Sequence, residues 1–108
     1  MTLNYDMLKK FEIKEEDYES CNEVTQQFYE LWYMVENNKN NPNKDIVDMI
    51  DKTVELYVNE IDFSKGPVEA RLIKLHIKEY YRSDCDLCKI ENFLIICSLI
   101  NYTIRKIF

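Results

Sequence analysis

The chain has one glycine and two prolines in 108 residues, too few turn residues for a many-stranded β protein, which needs them at regular intervals. A single glycine also excludes a glycine-rich phosphate-binding loop. There is one histidine, so any histidine-based general acid, base or nucleophile-activating pair must use His76. His76 stands between Leu75 and Ile77, with Leu72 and Tyr80 at i−4 and i+4 and no Ser or Cys nucleophile near it in sequence. That setting describes a histidine at the border of a core. With no catalytic constellation to assemble, the chain is expected not to be an enzyme.

Apolar runs are short. Met1 to Lys10 carries no segment of the kind a secretory signal requires, and the uninterrupted apolar run Phe93 to Cys97, which none exceeds in length, falls far below what spans a bilayer. The expected address is cytoplasmic, with no membrane partner. Four cysteines in such a chain are expected to be reduced thiols rather than a disulfide framework.

Basic residues are missing from one long stretch. The twenty-four residues between Lys14 and Lys39 hold no Lys or Arg, yet carry Glu15, Glu16, Asp17, Glu19, Glu23, Glu30 and Glu36. Solvated helices usually interleave Glu with Lys at i, i+4, because opposite pairs contribute about 0.2–0.5 kcal/mol each and like pairs cost a similar amount. Glu15–Glu19 and Glu19–Glu23 read as like pairs, so stability is given up for a negative surface. From Glu12 to Asp62 fourteen acids face four lysines, and from Phe63 to Phe108 five acids face eight bases that include all three arginines. An acidic half opposes nonspecific nucleic-acid binding, which depends on neutralising phosphates. It fits a basic partner, or serves solubility alone.

What is present is a core. An apolar fraction of 46% with eight Tyr, five Phe and one Trp excludes a disordered chain in spite of the net charge of −6. The length suits one domain, residues 1–108. The expected fold is all-α: a bundle of four main helices plus a short N-terminal helix, with the C-terminal helix central. Tyr5, Leu8 and Phe11 place the short helix within Asn4 to Ile13. Tyr18, Cys21, Val24, Phe28, Leu31, Trp32 and Val35 recur at helical spacing, which predicts one helix over about Glu15 to Asn38 with Glu16, Glu19, Glu23 and Glu30 opposite.

An Asn-rich loop ends that helix, and the next runs from Pro42 or Asn43 to about Ile61, its stripe Ile46, Ile50, Val54, Tyr57 and Ile61 widened by Val47 and Val58. Gly66-Pro67 then reads as a cap and first position for a helix over Pro67 to Arg82. Ser83, Asp84 or Asp86 is available to cap a last helix reaching about Ile107. Apolar residues wrap most of that last helix, which places it at the centre of the bundle or makes one face a homodimer interface.

Two further chemistries involve the cysteines. Cys85-x-x-Cys88 at a helix N-terminus is the pattern of a redox dithiol, but no βαβ unit precedes it and Asp86 opposes thiolate formation. Zinc would need four ligands; Cys85 and Cys88 are the single pair, and His76, Cys21 and Cys97 each stand alone. Neither cofactor nor metal is expected.

The expectation for function is a small acidic binding protein that neutralises a basic partner: an immunity protein blocking a nuclease toxin such as a bacteriocin or contact-dependent growth inhibition effector. Glu16, Glu19, Glu23, Glu30, Asp48, Asp51 and Glu55 would take the place of nucleic acid, and Tyr29 and Tyr33 would serve as aromatic anchors. Direct nucleic-acid binding is not expected. The alternatives are a viral or phage inhibitor of a host nucleic-acid enzyme and a self-associating helical bundle.

Overall fold

A computed structural model describes the backbone of residues 3–38, 44–60 and 69–107, and the side chains of the same residues apart from 69, 70 and 105–107. The described residues are helical, without strands: α1 Tyr5–Lys10, α2 Glu15–Ser20, α3 Glu23–Asn37, α4 Lys44–Glu60, α5 Glu69–Arg82 and α6 Asp86–Ile107. The expected cap at Gly66-Pro67, the start of the second long helix at Pro42 or Asn43 and its end at Ile61 lie outside the described residues.

The helix expected over Glu15 to Asn38 is two helices. Asn22 breaks it: its side chain accepts the Thr25 N–H at 2.8 Å, and its own carbonyl accepts from Gln26 N at 3.0 Å, so it acts as the N-cap of α3. The Gln26 side-chain amide donates back to the carbonyls of Tyr18 at 3.0 Å and Cys21 at 3.3 Å, closing the C-terminal end of α2. Glu19 and Glu23 therefore flank a break and are not a like pair at i, i+4 of one helix. Glu15, Glu16 and Asp17 fill the first turn of α2, where the helix dipole favours anions. Much of the acidic run thus has a local structural reason.

α1 is shorter than expected because it ends in a Schellman turn. Ile13 N donates to Leu8 O at 3.1 Å and Glu12 N to Lys9 O at 3.3 Å, with Glu12 left-handed at φ 54°. Leu8 and Ile13 are both buried, the apolar contact that accompanies such turns. Tyr5, expected on the inner face, is 61% exposed; Met7, Leu8 and Phe11 do the packing. Phe11 stacks on Trp32 of α3 with ring centroids 3.7 Å apart.

The core forms where α3, α4 and α6 meet. Phe28 of α3 lies edge-on to Tyr57 of α4 at 4.9 Å and beside Phe93 of α6 at 5.5 Å. α6 packs on α5, α4 and α3, burying Ile90, Phe93, Ile96, Cys97 and Ile100 while leaving Leu87, Ile95 and Tyr102 exposed. Val58, expected to widen the stripe of α4, is on the surface. Over Asp86–Ile104, 19 residues with mean hydropathy 1.4, α6 is long and apolar enough to cross a membrane. Counting unbroken runs hid this, because Asn92, Ser98 and Asn101 interrupt the run without adding charge.

Candidate partner-binding surface

The nine expected surface residues fall into three groups. Glu16, Glu19, Glu23 and Glu30 are exposed on α2 and α3. Glu19 and Glu30 share a depression of about 240 Å³ with Leu3, Asn4, Met7, Tyr18 and Gln26, and no Lys or Arg among the described residues lines it. Glu30 also edges a second depression of about 210 Å³ between α3 and α4, where Gln27, Leu31, Met34, Met49 and Thr53 are its other walls. Among the described residues, Glu30 is the carboxylate common to both. Met34 and Met49 are 39% and 43% exposed, and flexible thioether side chains suit an adaptable apolar contact.

Glu19 occupies the last turn of α2, a helix with no basic residue in that turn. An anion there opposes the helix dipole, so Glu19 lacks the structural reason that Glu15, Glu16 and Asp17 have. Glu30 accepts a hydrogen bond from the Tyr18 phenol at 3.4 Å. Burial, and then the Glu30 charge, push that phenol up to about 12.

The second group faces elsewhere. Asp51 of α4 accepts from the Tyr80 hydroxyl of α5 and pairs with Lys89 of α6 at 3.6 Å; the Lys89 ammonium also lies 5.7 Å from the Tyr80 ring centre. Burial, reinforced by this bond and by the Asp51 charge, raises the Tyr80 phenol strongly. Asp51 is therefore a tie between α4, α5 and α6, not a free surface anion. Glu55 lies one turn further on, and its charge acts on Tyr81 of α5. Asp48 is exposed, on the same side of α4 as Asp51 and Glu55 by helical spacing. Asp51 and Glu55 thus act on α5, apart from the depression that holds Glu19 and Glu30.

The aromatic anchors form the third group, and Tyr29 is a correction. It is 1% exposed, donates to the Asn101 side-chain oxygen of α6 at 2.8 Å, and sits edge-on to Tyr18 at 5.8 Å. α1 covers the flank of α3 on which Tyr29 lies, so it is core and unavailable to a partner. Tyr33 is half-buried, edge-on to Phe11 at 6.3 Å with the Lys10 ammonium 5.8 Å from its ring centre.

The cysteines also differ from expectation. Cys85 and Cys88 are joined in a disulfide, while Cys21 and Cys97 are free. Among the described residues, no three His, Cys, Asp or Glu side chains converge to hold a metal ion. His76 is half-buried, and its Nδ1 has no hydrogen-bond partner among the described residues.

A surface that sequence reasoning passed over lies on α5. Arg71, Lys74, Lys78 and Arg82 are exposed and share one face by helical spacing, with Arg82 paired to Glu79 at 3.4 Å. Its signal in the sequence is the i, i+3, i+7, i+11 spacing of Arg71, Lys74, Lys78 and Arg82, which a net charge does not show. Comparison with models of protein families, with curated proteins and with solved structures found no match.

Proposed function

We propose that this chain is a cytoplasmic binding protein that neutralises a basic partner, an immunity protein for a nuclease toxin being the reading that best fits its size and charge. The observation that carries it is the depression shared by Glu19 and Glu30, two carboxylates with no cation among the described residues that line it. A Lys or Arg side chain of a nuclease, placed there to hold phosphate, would enter it and be met by two anions, with Met34 and Met49 taking up apolar contact beside it. Glu16 and Glu23 would add long-range steering. In this reading α3, α4 and α5 form a bundle around α6, whose buried face belongs to the core, and the partner is a protein and not a membrane.

Capture of the tagged protein's partners from a lysate of the source cells tests this, at low salt and at about 0.5 M salt, where the Debye length shrinks to a few ångström. The reading expects one basic protein that weakens with salt and is lost from the double variant Glu19→Lys, Glu30→Lys. Capture unchanged by both salt and charge reversal overturns it. A second reading, self-association through α6, is favoured by the exposure of Leu87, Ile95 and Tyr102 and expects a mass in solution that rises with concentration.

A further inference from the structure

The Cys85–Cys88 disulfide holds no distant parts of the chain together. It closes a loop of sequence separation 3 with Cα atoms 5.3 Å apart, inside the normal range for a disulfide, and both residues are exposed. Cys85 caps α6: its carbonyl accepts from Lys89 N at 3.1 Å and its sulfur accepts the Cys88 N–H at 3.1 Å. A structural disulfide is one that reductants reach poorly and that ties segments far apart in sequence. This bond does neither.

The same site also accommodates the reduced pair. With the bond opened, the Cys85 sulfur remains at the N-terminus of a 22-residue helix, where a backbone N–H and the helix dipole favour its thiolate. Asp84 and Asp86 are exposed on either side of it and oppose the thiolate, which slows exchange without removing the capping donor. The other thiols are unlike it: Cys97 is buried in the core and Cys21 half-buried.

We propose that Cys85 and Cys88 form a reversible two-electron redox site that exchanges with small-molecule disulfides of the glutathione class. The Cys85 thiolate attacks one sulfur of oxidised glutathione; the glutathione S–S bond breaks, one glutathione leaves as thiolate and takes up a proton, and the other stays on Cys85 as a mixed disulfide. Cys88 loses its proton to solvent and attacks the Cys85 sulfur, forming the protein disulfide and releasing the second glutathione. Two protein thiols are oxidised and one glutathione disulfide is reduced to two thiols. The site lies apart from the acidic depression and does not depend on its role.

Equilibrating the full chain without oxygen in buffers ranging from reduced to oxidised glutathione, then labelling free thiols with a maleimide and mapping the peptides, tests the proposal. Labels on Cys85 and Cys88 should disappear together at an intermediate buffer ratio and return when reduced glutathione is added. Cys88→Ser should hold one glutathione on Cys85, and Cys85→Ser should hold several-fold less on Cys88. Both cysteines labelled in fully oxidised buffer, or both unlabelled in fully reduced buffer, would overturn it.

Discussion

The Tyr18 phenol donates to the Glu30 carboxylate at 3.4 Å across the break between α2 and α3. The bond fixes one of the two carboxylates of the depression relative to the helix that carries the other, Glu19. The Tyr18 ring keeps its packing against Tyr29 without the hydroxyl. Tyr18→Phe should therefore fold and lose about 0.5–1.5 kcal/mol, the usual net worth of one hydrogen bond. Urea titration with an unchanged slope checks this; a loss above about 3 kcal/mol would mean the hydroxyl does more than reach Glu30.

Asn22 separates two helices that hydrophobic spacing alone would join. Asn22→Ala removes the acceptor for Thr25 N and should cost about 1 kcal/mol, whereas Asn22→Asp should cost much less because a carboxylate caps as well. Thermal unfolding followed by circular dichroism would register the first as a fall of about 4 °C or more. Equal melting points for the two variants would contradict the cap.

Tyr29 should behave as a core residue. Its hydroxyl reaches Asn101, whose amide in turn donates to the Phe11 carbonyl at 3.1 Å, so this pair stitches α1, α3 and α6. Tyr29→Phe should destabilise by about 1–3 kcal/mol, the cost of an acceptor losing its buried donor, and leave partner capture intact at temperatures where the variant is folded. Capture lost from a fully folded variant would return Tyr29 to the surface.

Alkaline pH should unfold the protein. Burial pushes the phenols of Tyr18 and Tyr57 up from 10.0 to about 12, so above pH 10 the unfolded chain gives up protons that the folded chain still holds. Fewer protons bound in the unfolded state mean stability that is full below pH 10 and falls as pH rises toward 12, by about 1.4 kcal/mol per pH unit for the well-buried Tyr57 and by less for Tyr18, whose phenol is partly screened by solvent. Denaturant midpoints at pH 9, 10 and 11 test the sign: they should be level up to the unfolded value and drop beyond it. A midpoint that holds level through pH 11 would be inconsistent with protected phenols.

The helical class was legible from glycine scarcity and from the stripes of α3 and α4, whose period needs no knowledge of neighbours. The break at Asn22 was not, because Tyr18, Cys21, Val24 and Phe28 keep near-helical spacing straight through it; the capping residue was visible as a type, but periodicity outweighed it. The surroundings of Tyr29 and Asp51 escape local pattern for a different reason. Both sit at the edge of their helix's apolar stripe, and which edge is covered depends on α1 reaching α3 through Phe11, and on Tyr80 and Lys89 reaching α4. Those are contacts across long sequence separation, where local pattern is silent. The disulfide differs for the opposite reason, since its partners are only three residues apart: composition argued for reduced thiols, while the turn into α6 brings Cys85 and Cys88 within bonding distance.

Photo-crosslinking from Met34 tests the central claim most directly. A photoreactive residue at Met34, beside Glu30, and the same residue at Leu75 on α5, which is 55% exposed, would be irradiated in a lysate of the source cells at low salt. The account expects an adduct with one basic protein from position 34, abolished by Glu30→Lys, and none with that protein from position 75. An adduct from position 75 alone, or one from position 34 that survives Glu30→Lys, would contradict a partner seated on the Glu19–Glu30 depression.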